Sequence, residues 1–173
     1  MSRYDAMFAR LRAQGEGAFG AFVMLGDPDV RTSETLLDLI VDAGADFIEV
    51  GIPFSDPIAD GPVIQRSAQR ALEAGVRVAD CFGLIARFRA RHAQVPLGIL
   101  TYANLVVNRG RSAFYQRASA GVDSVLVADV PAAEAEPFAA AAREFGVAQV
   151  LIAAANTPPA TLERIASVGE GYT

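Results

Sequence analysis

Two carboxylates joined by a proline-rich loop are the residues best suited to chemistry in this sequence. Glu49 is the only charged residue in the apolar run 47–52, and the loop that follows brings Asp60 back toward the end of that run. An isolated acid in an apolar strand is costly unless it is paired, protonated or put to use. A second acid on a nearby loop is what proton-transfer chemistry requires. The pattern therefore favours an acid–base site.

Each acid also has a structural interpretation. Glu49 could pair with an arginine, but no arginine lies on a predicted strand, which favours catalysis. Asp60 precedes Gly61 and Pro62 and could simply stabilise the start of a helix, so on spacing alone its two interpretations stay open. Asp56 lies in the middle of the loop, and spacing alone predicts a solvated surface acid there.

The basic residues exclude several kinds of site. All 15 are arginine, so the segment has no lysine for a Schiff base or a phosphate-binding P-loop. His92 is the only histidine, which argues against a catalytic metal. We therefore expect no cofactor in this chain. Cys81 is the only cysteine, so an internal disulfide is excluded and a cytoplasmic location is the default expectation.

Charge and hydropathy exclude two classes of partner. The net charge is −5 and no basic cluster stands out, so nucleic acid is not an expected partner. Hydrophobic residues make up 52% of the sequence, yet no apolar run is long enough to span a membrane. The first residues also lack the layout of a signal peptide.

Apolar runs alternate with helical patterns, which predicts an α/β fold with parallel strands. Two architectures compete, an open doubly wound sheet and a (β/α)8 barrel. The residues after the first strand, 26–29, are not a dinucleotide-binding fingerprint, and small or polar strand ends favour the barrel. Thr32 or Ser33 is predicted to cap the helix that ends near Ala43. The predicted strands are 18–25, 47–52, 96–102, 124–129 and 148–154.

Strand alternation assigns side chains to the barrel interior. Phe47, Glu49 and Gly51 share one face of the second strand, while branched residues occupy the other face. The same alternation predicts an apolar pocket near Glu49 formed by Phe22, Leu100 and Tyr102, the last of which needs a partner for its hydroxyl group if it is buried.

A barrel of this type has about 250 residues. We therefore interpret residues 1–173 as a single, incomplete (β/α) barrel domain with an extra N-terminal helix, five strand–helix units and the start of strand six at Tyr172 and Thr173. Unpaired edges would then remain at the first and last strands. We expect the isolated segment to be unstable or to self-associate. A clean monomer in size-exclusion chromatography that also unfolds cooperatively would contradict this.

Four segments resemble the tryptophan synthase alpha chain family. They are Leu25-Gly26-Asp27-Pro28, the stretch from Glu49 to Pro62, Thr101-Tyr102-Ala103-Asn104, and residues 123–131. The similarity extends over essentially the whole chain, and the motif of residues 49–62 is the most specific. The resemblance implies a TIM barrel enzyme of tryptophan biosynthesis that cleaves indole-3-glycerol phosphate to indole and glyceraldehyde 3-phosphate.

The resemblance also implies roles for individual residues. Glu49 would be the principal acid–base residue, and Asp60 would assist at the indole nitrogen. Pro53 and Asp56 would face a beta chain in an α2β2 heterotetramer. The positions that would line the indole pocket are Phe22, Leu100, Tyr102, Ala128 and Ile152.

Two other functions compete with this lyase. The first is a barrel fragment without catalytic activity that only binds the beta chain. The second is a different phosphate-sugar barrel, such as an epimerase, against which the shortage of histidine argues. The phosphate-binding loops of such barrels follow strands seven and eight, which lie outside the given sequence. Membership of the family would therefore not imply that this segment is active alone.

Overall fold

Five parallel strands, paired in the order β1-β2-β3-β4-β5, form the sheet in the computed structural model, which describes residues 2–173. The strands are rich in branched residues, as is usual when helices cover a parallel sheet. The structure confirms the predicted alternation of parallel strands and helices. The strands are β1 (Gly20–Met24), β2 (Phe47–Gly51), β3 (Leu97–Thr101), β4 (Ser124–Val127) and β5 (Ala148–Val150).

The helices alternate with these strands, except that one helix precedes the sheet and two pairs of helices occur between strands. A short 3-10 turn, Ala132–Glu134, precedes the seventh helix. No helix in residues 2–173 combines the length and apolar character needed to cross a membrane. The helices are α1 (Arg3–Gln14), α2 (Val30–Asp42), α3 (Pro62–Glu73), α4 (Val78–Arg91), α5 (Ala103–Val107), α6 (Arg111–Ala118), α7 (Glu136–Glu144) and α8 (Pro159–Val168).

The ends of two elements differ from the sequence predictions. The cap of α2 is Asp29, whose side chain accepts a hydrogen bond from the Thr32 backbone, so the prediction of Thr32 or Ser33 is wrong. The side chain of Ser33 instead accepts from the backbone nitrogen of Gly26. Residues 171–173 form no strand, although the Glu170 backbone donates to the Gln149 carbonyl beside β5. Within residues 2–173, β1 and β5 are therefore the two edges of the sheet.

The sheet separates two apolar layers. One face carries Ile48, Val50, Ile99 and Val125, which pack in the main hydrophobic core with side chains of α4. The opposite face is the interior of the curved sheet, and α1 lies against it through Tyr4, Met7 and Leu11. The predicted opening helix thus seals one end of the interior with apolar side chains.

Asp123 joins three elements where α1 meets the sheet. Its carboxylate accepts from Arg3 at 2.7 Å, from Arg89 at 2.8 Å and from the Leu97 backbone at 2.8 Å. The side chains of Asp123 and Arg89 are only 8% and 11% exposed. Burial is the main reason why the pKa of Arg89 is lowered. Because a buried charge without its partner is costly, this cluster has a direct consequence for stability.

We expect Asp123→Asn to lower the free energy of unfolding by about 3 kcal/mol, because the change leaves the Arg89 guanidinium buried without its counter-charge. Urea unfolding followed by circular dichroism of the complete protein measures this. The matched control is Glu136→Gln, which breaks the exposed Arg143–Glu136 pair and should cost less than about 1 kcal/mol. Equal losses in the two variants would contradict the assignment.

Candidate active site

One row of the interior face contains Glu49. The strand register sets Phe22 beside Glu49, Glu49 beside Gly98, Gly98 beside Ser124, and Ser124 beside Ala148. Residues paired in this way in a parallel sheet point to the same face. Glu49 therefore projects into the interior, on the face that alternation predicts, with small residues along much of its row.

The direct partner of Glu49 is Tyr172, whose hydroxyl group donates to the carboxylate at 2.6 Å. Burial raises the pKa of Tyr172, and the hydrogen bond to Glu49 raises it further, so the phenol stays protonated. Tyr172 also packs its ring near Tyr4 and Phe47. The sequence predicts only the start of a strand at Tyr172, and no local pattern in it predicts the contact with Glu49.

Two further hydroxyl groups lie beside this contact. Tyr4 and Ser124 are hydrogen bonded at 2.9 Å, and burial raises the pKa of Tyr4 to about 12. Gly98 makes room for them, because a Cβ atom there would lie 2.7 Å from Ser124 Oγ and 3.5 Å from the Tyr172 hydroxyl oxygen. The sequence signals for this cluster are Ser124, a polar residue in an apolar strand, and Gly98, which alternation places on the same face of its strand as Leu100.

The second carboxylate, Asp60, has its own phenolic partner. The hydroxyl group of Tyr102 donates to Asp60 at 2.9 Å and accepts from the Ala59 backbone at 3.1 Å. Burial, followed by the contact with Asp60, raises the pKa of Tyr102 to about 12. Phe54 stacks on the Tyr102 ring with a centroid distance of 5.2 Å. The expectation that buried Tyr102 needs a hydroxyl partner is thus met by the loop that carries Asp60.

The other predicted lining residues fall on the interior face or at the strand ends. Phe22 approaches Gly51, where a Cβ atom would lie 2.9 Å from the Phe22 ring. Leu100 pairs with Gly51 and Leu126 in the next interior row. Ala128 and Ile152 both line a cavity of about 350 Å³ where β4 and β5 end. Phe22 and Leu100 therefore share the interior face with Glu49, whereas Ala128 and Ile152 line a cavity at the strand ends whose lining does not include Glu49.

The two loop positions expected to face a partner differ in exposure. Pro53 is buried, whereas Asp56 is exposed. Ile58, which was not singled out in the sequence, is 81% exposed although it is apolar. Ile58 is the most exposed of the large apolar side chains in residues 2–173, so the tip of this loop is open to solvent.

The chemistry that this arrangement supports is proton transfer between oxygen atoms and a substrate. Glu49 and Asp60 are each hydrogen bonded to a different tyrosine, so the two carboxylates have separate environments. Within residues 2–173, no three His, Cys, Asp or Glu side chains are grouped so that they could hold a metal ion. Separate environments are the condition under which two acids can take different roles in one reaction.

Comparison with known proteins shows one family throughout. Residues 8–173 match a family model described as tryptophan synthase alpha chain. Proteins named tryptophan synthase alpha chain from Shewanella amazonensis and Escherichia coli are 55% and 52% identical over 174 aligned residues, covering 100% of this chain and 65% of each relative. The chain therefore spans slightly less than two thirds of the length of these relatives.

Solved structures give the same result. The tryptophan synthase alpha subunit from Legionella pneumophila superposes with a TM-score of 0.96 at 30% identity, covering 100% of this chain and 68% of that one. A structure described as the tryptophan synthase a2b2 complex from Pyrococcus furiosus has a TM-score of 0.82 at 39% identity, covering 88% of this chain and 61% of that one. The fold is thus the TIM barrel of these neighbours, seen over its first five strands.

Proposed function

This chain belongs to the tryptophan synthase alpha chain family, and from that premise we propose that the protein carrying it cleaves indole-3-glycerol phosphate to indole and glyceraldehyde 3-phosphate. The observation that carries the proposal is the position of Glu49. Its carboxylate lies on the interior face, hydrogen bonded to a protonated phenol and in register with Gly98, which has no side chain. In the proposed reaction this group would exchange a proton with a substrate held at the strand ends.

The proposed reaction breaks the bond between the indole ring carbon and the side chain. Protonation of the ring carbon leaves a positive charge on the indole nitrogen. Loss of the proton from the adjacent hydroxyl group lets the oxygen form the aldehyde, while the electron pair of the broken bond returns to the ring. Glu49 would deliver the proton to the ring carbon and remove the one from the hydroxyl group, and the carboxylate of Asp60 would stabilise the charge at the nitrogen. Neither an amine nucleophile nor a metal ion is required for these steps.

The apolar positions would hold the indole ring. Phe22 and Leu100 lie on the interior face, and Ala128 and Ile152 line the cavity at the ends of β4 and β5. Ile152 is 60% exposed, so it is available to a ligand. Because the transfer of an apolar ring out of water is favourable, these residues would contribute affinity, while the carboxylates would provide the chemistry.

The partner in this proposal is a tryptophan synthase beta chain in an α2β2 assembly. The loop that follows β2 presents the exposed Asp56 and the largely exposed Ile58, whereas Pro53 is buried at the start of this loop and would support its conformation. An apolar tip beside a charged residue is suited to docking against another protein surface. A cytoplasmic location belongs to the same proposal, supported by a single, buried and unpaired cysteine, Cys81.

The test is direct measurement of the products. The complete protein, alone and with a beta chain, is incubated with indole-3-glycerol phosphate, and indole is extracted while glyceraldehyde 3-phosphate is measured by a coupled dehydrogenase. We expect stoichiometric formation of both products. Calorimetric binding to the beta chain without any product would instead favour the barrel that only binds its partner.

A further inference from the structure

Gln65 contacts the loop that carries Asp60, although neither its type nor its spacing marks it as functional. It lies in the first turns of α3, and its side-chain nitrogen Nε2 donates to the backbone carbonyl of Asp60 at 2.8 Å. The same nitrogen lies 3.5 Å from the carbonyl oxygen of Pro57. One amide group therefore bridges two backbone positions of the loop.

The helix that presents Gln65 is fixed to the sheet. Arg70 forms two hydrogen bonds with Asp27, at 2.8 Å and 2.6 Å, just beyond the end of β1. Ser67 donates to the same carboxylate. Ala68 and Ala71 of the same helix are buried. Because α3 is held at several points, its first turns present the exposed Gln65 side chain to the loop from a fixed backbone.

The loop is held partly by its own backbone, since the Asp60 nitrogen donates to the Pro57 carbonyl at 3.1 Å, and it has little side-chain packing near Asp60. Its apolar residue Ile58 is 81% exposed and so contributes almost no packing. Tyr102 holds the carboxylate of Asp60 from the sheet side, while Gln65 holds its backbone carbonyl from the helix side. Two points of attachment on one residue restrict both the position of its backbone and the direction of its side chain.

We propose that Gln65 is a positioning residue for Asp60, holding the backbone of residue 60 so that its carboxylate faces the substrate. This inference rests on the proposed function, because it assigns a role in the same reaction. Geometry of this kind matters to rate, since a small misplacement of a charged group weakens its interaction with the transition state.

The inference predicts the effect of Gln65→Met, which keeps the length of the side chain and removes the donor. We expect kcat/KM for indole release by the complete protein to fall about 5-fold, the equivalent of one lost hydrogen bond. Gln65→Glu has the same shape but is an acceptor when ionised, and should show a similar loss. A negative charge near a helix N-terminus is favourable, so that loss would not reflect unfolding.

Gln69→Met is the matched control. Gln69 lies one turn further along the same helix, and its side chain donates only to Glu73 at 2.8 Å. We expect this variant to keep wild-type kcat and KM. A loss in Gln69→Met equal to that in Gln65→Met would mean that the helix, and not the contact with the loop, is responsible, and would overturn the inference.

A double variant separates positioning from a general structural effect. If Gln65 acts through Asp60, then Gln65→Met should cause no further loss of rate in an Asp60→Asn background. A full additional 5-fold loss there, or wild-type activity of Gln65→Met alongside an impaired Asp60→Asn, would overturn this inference alone. Full activity of Asp60→Asn itself would overturn the proposed role of Asp60 and this inference with it.

Discussion

Glu49→Gln should lower the rate of indole release by about 10³-fold while the fold stays intact. The amide has nearly the same shape as the carboxylate and can still accept the hydrogen bond that Tyr172 donates at 2.6 Å. It cannot, however, take up or release a proton near neutral pH. Since the proposed reaction moves one proton onto a ring carbon and another off a hydroxyl group, the variant would lose the step that limits cleavage.

Measurement of this loss needs three quantities. They are single-turnover indole formation, substrate binding by calorimetry, and thermal unfolding compared with the wild-type protein. The control is Glu163→Gln, an exposed glutamate of α8 that should leave all three unchanged. Near-normal turnover of Glu49→Gln, with binding intact, would show that another group moves the protons and that the proposed mechanism is wrong.

Asp60→Asn is the second large effect, and we expect a loss of about 10²-fold in kcat with a smaller change in KM. The Asn side chain can still accept the hydrogen bond from Tyr102, so the loop should keep its conformation. What disappears is the negative charge opposite the indole nitrogen. Since that nitrogen becomes cationic only after the ring carbon is protonated, the interaction is stronger in the transition state than in the bound substrate.

The distinction between charge and shape gives this prediction its test. Steady-state kinetics of Asp60→Asn should separate the two parameters, and Asp42→Asn, a change at an exposed residue of α2, provides the control. A rise in KM with kcat unchanged would mean that Asp60 contributes only uniform binding. In that case Glu49 would act without electrostatic help from the loop.

Much of the fold follows from local patterns in the sequence. Alternation of branched residues places Glu49 on the interior face, and the helix predicted to end near Ala43 ends at Asp42. The fifth strand is a partial exception. It is predicted to span 148–154 but pairs with β4 only over Ala148–Val150. Residues 151–154 lie beyond the last pair, Leu126 with Val150. Apolar composition alone does not distinguish these two parts.

The contacts of the candidate site are harder to predict than its two acids. Tyr172 meets Glu49, and Tyr4 meets Ser124, across more than a hundred residues of sequence. No local pattern pairs residues so far apart, because the pairing arises only when α1 and the last residues enter the same interior space. Gln65 was missed for a different reason. On a helix surface glutamine is ordinary, and only its direction toward the loop distinguishes it from Gln69.

The missing side chain at Gly98 has a consequence for how this protein can vary. Three hydroxyl oxygens, those of Ser124, Tyr4 and Tyr172, lie within 3.5 Å of the point that a methyl group at residue 98 would occupy. Mutation to alanine is therefore not a small change there. Substitution at position 98 is therefore coupled to position 124, since a methyl group could enter only if the serine hydroxyl turned to another rotamer or were lost.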